Sequence, residues 1–143
     1  MNVPAKTVVI FNPPADGTLK ALKKAVKKSG VDVKVASPDE YGKALGTICG
    51  IRGIPDPILP EDIKHKSVSA ISMAADYPEL PDTFIVFAFI DDKCLDTILT
   101  AIKECGAGPF MYKAVLTPYN MSWSVYKCFE EICREHASIK HNK

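Results

Sequence analysis

The feature that most constrains the fold is a pattern that occurs twice along the chain. The segment TVVIF at 7–11 is continuously apolar and rich in β-branched residues, and TFIVF at 83–87, 76 positions later, has the same character. Such runs are typical of strands that are buried on both faces of a sheet. At the same shift, Leu19 and Leu95 begin apolar residues at helical spacing, so each strand is predicted to lead into a helix.

A second strand and a second helix follow in both halves. Residues 31–37 (VDVKVAS) and 110–117 (FMYKAVLT) alternate apolar and polar side chains, as half-exposed or edge strands do. Each segment leads into a Ser-Pro or Thr-Pro pair, which is a common start of a helix. The repetition therefore predicts two β-α-β-α units that arose by internal duplication.

Several polar residues are candidates for helix caps. Asp16 and Asp92 are expected to cap the first helix of each unit. Ser37, with Glu40 three residues later, has the spacing of a capping box, and Thr117 is the matching cap of the second unit. The second helix of each unit is therefore predicted to begin directly after its cap.

A chain of 143 residues is long enough for one domain with one core. We predict a single α/β domain over 1–143, made of a first unit at 1–49, a proline-rich connection at 50–82 and a second unit at 83–143. The connection contains five prolines and is expected to be extended apart from a short helix near 68–75.

The two most apolar strands should lie at the centre of one four-stranded sheet, in the order 2-1-3-4, with helices packed on it. The sequence leaves the relative direction of these two strands open. If all four strands are parallel, the loops after the central strands meet in a ligand crevice. If a two-fold axis makes the halves antiparallel, that crevice does not form.

The charge balance argues against nucleic-acid and membrane partners. Lysines and arginines number 18 and carboxylates 17, so no global electric field is expected. No apolar stretch approaches the ~18 residues of a membrane span, and the first apolar run is too short for a signal sequence. The five cysteines include no Cys-x-x-Cys pair, so we expect a cytoplasmic protein with reduced thiols.

The last predicted helix carries three aromatic residues on the side that should be solvated. Its core stripe contains Met121, Val125, Cys128, Phe129, Ile132 and His136. Tyr119, Trp123 and Tyr126 lie on the other side. Three explanations are open: the proline-rich connection covers this ridge, another subunit or partner protein contacts it, or a ligand stacks on Trp123.

A second candidate site consists of the loops after the central strands and the last helix start. It contains Asn12, Asp16, Asp91, Asp92, Thr117 and Asn120. The free N–H groups of helix starts at such a site favour anions. A glycine-rich phosphate loop, a serine elbow and a His-Glu metal motif are absent from the sequence. Cys133 and His136 supply only two metal ligands, so neither a metal nor a cofactor is expected.

The segment from Phe84 to His136 resembles a small bacterial domain family of unknown function. In that family a strand, a turn and a Leu-rich helix precede a Lys-Ala-Val-Leu-Thr-Pro motif, an Asn and a Trp. The matching residues here are Lys113, Ala114, Val115, Leu116, Thr117, Pro118, Asn120, Trp123, Glu135 and His136. The resemblance implies a bacterial, cytoplasmic protein with a compact α/β unit. It also draws attention to Tyr119, which stands where a small hydroxyl residue is expected.

We therefore interpret the chain as a non-enzymatic protein that acts by binding, as a homodimer or as an adaptor for a partner protein, through Tyr119, Trp123 and Tyr126. The alternative is a protein that binds a small ligand or an anion, with or without catalysis, through the loops after the central strands.

Overall fold

The computed structural model describes residues 6–58, 80, 82–105 and 112–141, with residues 136–141 as backbone only. The short helix expected near 68–75 lies outside these ranges. Within them, none of the helices combines the length and the apolar character that crossing a lipid bilayer requires.

Four strands form one sheet. In chain order the elements are β1 (Thr7–Phe11), α1 (Asp16–Lys28), β2 (Asp32–Val35), a 3₁₀ turn (Pro38–Glu40), α2 (Leu45–Ile48), β3 (Phe84–Ala88), α3 (Asp92–Glu104), β4 (Tyr112–Val115) and α4 (Val125–His141). The strand order is β2-β1-β3-β4, which confirms the predicted 2-1-3-4 sheet of an α/β fold. β2 is parallel to β1 and β4 is parallel to β3.

The central strands β1 and β3 are antiparallel, which answers the question that the sequence left open. Val9 pairs with Val86 at the centre of the register, so an approximate two-fold axis perpendicular to the sheet relates the two halves. The loops after β1 and β3 lie at opposite ends of the sheet, because the two strands run in opposite directions. The ligand crevice expected for an all-parallel sheet therefore does not exist.

Helices cover both faces of the sheet, because alternate strand residues point into two cores. One core contains Val8, Ile10, Ile85 and Phe87 with Leu22 and Val26 of α1 and Ile98 and Ile102 of α3. The other contains Val9, Phe11, Phe84 and Val86 with Tyr41, Leu45 and Ile48 in or before α2 and Val125, Cys128 and Phe129 of α4. The first helices of the two units share one face, and the second helices share the other.

The first helices of the two units have equal lengths of 13 residues but begin differently from the prediction. Ala15 occupies the N-cap of α1 and Asp16 is the first helical residue, so the capping role predicted for Asp16 is wrong. In α3 the N-cap is Asp91 and not Asp92, and its side chain accepts a hydrogen bond from the Cys94 N–H at 2.7 Å. The sequence pattern located both helix starts only to within one residue.

The second helices begin later than predicted. After Ser37 the chain forms only the 3₁₀ turn, and α2 starts at Leu45. After Thr117 the chain again turns, and α4 starts at Val125. The Glu40 carboxylate does accept a hydrogen bond from the Ser37 N–H at 3.0 Å, as a capping box requires. The caps predicted at Ser37 and Thr117 are therefore present, but each opens a single turn and not a continuous helix.

Candidate functional site

The turn before α4 is held together by Thr117 and Asn120. The Asn120 side chain accepts a hydrogen bond from the Thr117 N–H at 2.8 Å and donates one to the Val115 carbonyl at 3.0 Å. The Thr117 hydroxyl accepts hydrogen bonds from the N–H groups of Tyr119 and Asn120, both at 3.2 Å. Asn120 is buried. These two predicted ligand residues therefore direct their polar groups at the turn itself.

The same turn is joined to the first half of the chain. The N–H groups of Leu45 and Gly46 donate to the carbonyls of Trp123 and Met121, both at 2.8 Å. A Cβ atom at Gly46 would lie 2.6 Å from Ile54 Cδ1 and 3.0 Å from Met121, so a larger residue here would displace the Ile54 side chain and crowd Met121. The position of Trp123 is therefore fixed by both halves of the molecule.

The three aromatic residues predicted to form one ridge lie in different environments. Tyr119 is 84% exposed. Trp123 is half-buried against the core beneath α4, and the Lys127 Nζ lies 4.7 Å from its ring centre. Tyr126 packs on the same core, edge-on to Tyr41. The prediction that all three lie on one helix is wrong, because α4 begins only at Val125 and Tyr119 and Trp123 precede it. Tyr119 is exposed as expected, whereas Trp123 and Tyr126 are partly buried against the core.

Trp123 stands between two open clefts. The first has a volume of about 460 Å³ and crosses the edge of β4, from Leu99 of α3 to Ile132 of α4. The second, of about 550 Å³, separates Ile58 of the proline-rich connection from Trp123 and Tyr126. Within the described parts of the chain, β4 pairs only with β3, so its outer edge borders the first cleft.

Large apolar side chains are exposed around Trp123. Among the described residues, the exposed large hydrophobic side chains are Ile58 at 90%, Val115 at 39% and Tyr119 at 84%. Ile58 lines the second cleft, Val115 lines the first, and Tyr119 belongs to the turn between them. We call these three residues, together with Trp123 and Ile132, the Trp123 surface.

Charged residues of both signs border the Trp123 surface. The two clefts are lined by the basic residues Lys113, Lys127 and Arg134 and by the acidic residues Glu130, Glu131 and Glu135. Arg134 forms ion pairs with Glu130 at 2.7 Å and Glu131 at 3.0 Å. The border has no excess of either charge, so it does not select a strongly acidic or strongly basic partner.

At the carboxyl end of β1, side chains cover the end of the sheet. Asn12 has a left-handed φ of 53°, and its N–H donates to the Tyr41 hydroxyl at 2.9 Å. The Thr83 hydroxyl donates to the Asn12 carbonyl at 2.8 Å. Tyr41 is buried and meets Phe11 edge-on. The backbone of Asn12 therefore links the end of β1 to Tyr41 and Thr83, and Asp16 is exposed to solvent.

At the carboxyl end of β3, the equivalent end of the sheet contains an open cavity of about 470 Å³. Phe89 follows β3 as Asn12 follows β1, and it also has a left-handed φ, of 61°. The cavity is lined by apolar groups of Phe89, Leu116, Pro118 and Met121 and by Asp91 and Thr117. Asp91 and Thr117 thus border one space, whereas Asn12 and Asp16 lie at the opposite edge of the sheet.

Three residues at these sites were missed by sequence reasoning. Ile58 in the connection and Val115 in β4 belong to no distinctive sequence pattern, and only the structure reveals that their side chains are exposed. Phe89 was missed because the 76-residue shift aligns Asn12 with Ala88, and only the strand register relates Asn12 to Phe89. A bulky residue at a position that needs a left-handed backbone is uncommon.

The buried thiols are poor nucleophiles. Burial raises the pKa of Cys49 and of Cys128 to about 12, and it also raises the pKa of Cys133. Only the thiolate form of cysteine is strongly nucleophilic. In the described part of the chain, no group of three or more His, Cys, Asp or Glu side chains is placed to hold a metal ion.

The second half of the chain matches a known family model. Residues 83–139 match the family described as a domain of unknown function (DUF3783). The match covers β3, α3, β4 and most of α4, and it confirms that this half resembles an uncharacterised domain family. No curated protein and no solved structure matches the chain.

Proposed function

We propose that this protein acts by binding polypeptide, and that the Trp123 surface joins it to a second copy of the same chain. We further propose a bacterial, cytoplasmic setting, which the family resemblance and the five free cysteines support. The site with the strongest physical support for this function is the turn from Thr117 to Trp123 with its two clefts.

The observation that carries the proposal is the clustering of exposed apolar groups. Ile58, Val115 and Tyr119 are the large hydrophobic side chains that the described residues leave exposed; Ile58 and Val115 each line a cleft with Trp123, and Tyr119 lies in the turn before it. Contiguous exposed apolar surface on a folded protein commonly marks an interface. Trp123 and Tyr119 belong to the residue types that contribute most to binding free energy at interfaces.

The charges around this surface favour a second copy over another partner. A symmetric dimer places the same patch on both sides of its interface, so the patch must complement itself. Lys113, Lys127 and Arg134 can face Glu130, Glu131 and Glu135 of a second chain across a two-fold axis.

The test uses exposed residues, so that folding is not compromised. Ile58→Asp and Tyr119→Asp place a charge in the apolar patch, and Thr100→Asp on the exposed side of α3 is the control. Sedimentation equilibrium measures the dimer dissociation constant of each protein. We expect Ile58→Asp and Tyr119→Asp each to raise that constant at least ~10-fold, and Thr100→Asp to leave it unchanged.

Two results contradict the proposal. The first is a wild-type chain that remains monomeric at a protein concentration of about 1 mM, so that its free energy of association is weaker than about 4 kcal/mol. The second is a dimer whose dissociation constant is the same for wild type, Ile58→Asp and Tyr119→Asp. Emission of Trp123 is an independent reporter, since the half-buried indole should shift to the blue as the dimer forms.

A further inference from the structure

We propose that the cavity at the carboxyl end of β3 is a binding site for a small molecule made of a single aromatic ring with a hydrogen-bond donor. This site lies beside the Trp123 surface, with which it shares Val115, but it does not depend on the function proposed for that surface. The kind of ligand is inferred from three features: the Tyr41 ring that fills the equivalent position in the first half, the residues that line the cavity, and the left-handed backbone of Phe89.

The first half shows what the same backbone arrangement accommodates. The two-fold axis relates Asn12 to Phe89, and the turn after Ser37 to the turn after Thr117. Tyr41 and Met121 are both the fourth residue after these caps. In the first half the phenol ring of Tyr41 fills the sheet edge and its hydroxyl accepts a hydrogen bond from the Asn12 N–H. In the second half Met121 borders the cavity.

The size of the cavity suits a ring with a short substituent. Its volume of about 470 Å³ lies at the lower end of the range of ~300–1,000 Å³ that small-molecule sites span. A cavity of roughly 150 Å³ is sufficient for benzene. The remaining space can hold a hydroxyl group and a two-carbon chain, and the apolar walls formed by Leu116, Pro118 and Met121 favour the ring.

The polar residues that line the cavity favour a ligand with a hydrogen-bond donor over a ligand with a negative charge. Asp91 is the acidic residue of the cavity wall, and the adjacent Asp92 begins α3. One Asp91 oxygen accepts the Cys94 N–H, and a carboxylate offers about four acceptor positions, so a ligand donor can also be accepted. The same negative charge disfavours the anion that the helix start would otherwise attract.

Phe89 provides a further reason to regard the cavity as a built site. A left-handed φ costs about 1–2 kcal/mol for a residue with a side chain, and Asn tolerates it better than Phe. The first half has Asn12 at this position, whereas the second half has a bulky ring whose side chain lines the cavity. Strained residues of this kind are concentrated at ligand sites.

The experiment titrates tyramine, which carries a phenol ring and a protonated amine, into the full chain. Titration calorimetry and methyl NMR should detect binding, with nuclear Overhauser contacts between the ring protons and the Met121 methyl group. Phenylacetate has a similar ring but a negative charge and should bind at least ~10-fold more weakly, because it meets Asp91. The variant Ile58→Asp should bind tyramine like wild type, even where it weakens self-association.

The decisive variant is Met121→Tyr, which places a ring in the cavity and should lower tyramine affinity at least ~10-fold. Asp91→Asn keeps the helix cap but removes the charge, and it should reduce the preference for tyramine over phenylacetate. The proposal is overturned if wild type shows no binding at millimolar tyramine, if no contact to the Met121 methyl group is seen, or if folded Met121→Tyr binds as wild type does.

Discussion

The carboxyl ends of β1 and β3 have the same backbone plan but differ in how they are filled. Asn12 and Phe89 both adopt a left-handed φ directly after a central strand. After β1, the buried Tyr41 fills the edge and binds the Asn12 N–H, whereas after β3, Met121 borders a cavity. An approximate symmetry of the backbone therefore leaves one end filled by a buried ring and the other end open.

The turns after β2 and β4 differ in a similar way. A charged carboxylate, Glu40, closes the first turn, and the neutral amide of Asn120 closes the second. Burial raises the pKa of Glu40, but hydrogen bonds from Lys34 and from the Ser37 N–H, with the Lys34 charge, outweigh burial and hold this pKa below its ordinary value. The first turn should therefore respond to acid, and the second should not.

The largest effect is expected where the closed end is opened. Tyr41→Ala removes a fully buried ring and should lower the free energy of unfolding by about 3–5 kcal/mol. Met121→Ala should lower it by only about 1 kcal/mol, because Met121 is partly exposed at an existing cavity. Urea unfolding of both variants measures the difference. Equal losses would show that the two ends are not different in packing.

Substitutions in the two turns should differ in their loss of stability by a smaller amount. Asn120→Ala leaves the Thr117 N–H and the Val115 carbonyl without the side chain that binds both in partly buried hydrogen bonds, and should cost about 2 kcal/mol of stability. Glu40→Ala removes a cap that is more accessible to water, and should cost about 1 kcal/mol at neutral pH. Thermal unfolding of the two variants compares them. A larger loss for Glu40→Ala would reverse the expected order.

A third comparison tests whether the two left-handed residues have equivalent backbones. Ala is strained at such a φ and Gly is not, so at each position the Gly variant should be about 1 kcal/mol more stable than the Ala variant. The pairs are Asn12→Gly with Asn12→Ala, and Phe89→Gly with Phe89→Ala. Taking the difference within each pair removes the packing of the original side chain. A difference at only one position would break the symmetry.

The smallest effect concerns pH. Because the folded-state pKa of Glu40 lies below its ordinary value of 4.5, its stabilisation is complete above that pH and is lost as the pH falls through the folded pKa. Glu40→Gln should therefore lower stability by about 0.5–1 kcal/mol at pH 7 and by much less near pH 3. Urea unfolding across this range measures the slope. The exposed control Glu104→Gln should leave it unchanged.

Much of the sheet could be predicted from the sequence, because apolar β-branched runs and edge alternation are local signals. The strand repeat was nevertheless aligned one residue away from the structure. The register pairs Val9 with Val86, so Thr7 corresponds to Phe84 and not to Thr83. A one-residue slip reverses the face of every side chain, and only the packing of both cores reveals the true alignment.

The candidate site was harder to predict, because its geometry depends on contacts between distant segments. The Thr-Pro pair signalled a helix start, but the carbonyls of Met121 and Trp123 are bound by Gly46 and Leu45, and the turn persists until Val125. No periodicity in the sequence reports such a contact. The antiparallel direction of β1 and β3 was likewise invisible, since either direction buries the same apolar strands.

The antiparallel seam between β1 and β3 has a consequence for how such a molecule can be assembled. Each unit alone would present a central strand whose backbone N–H and C=O groups are unpaired on one side, and a second unit of the same kind can pair with it. A polypeptide with a single unit can therefore form this sheet as a dimer, which dissociates on dilution. Joining both units in one chain makes the encounter intramolecular, so that pairing of the two central strands no longer depends on the protein concentration.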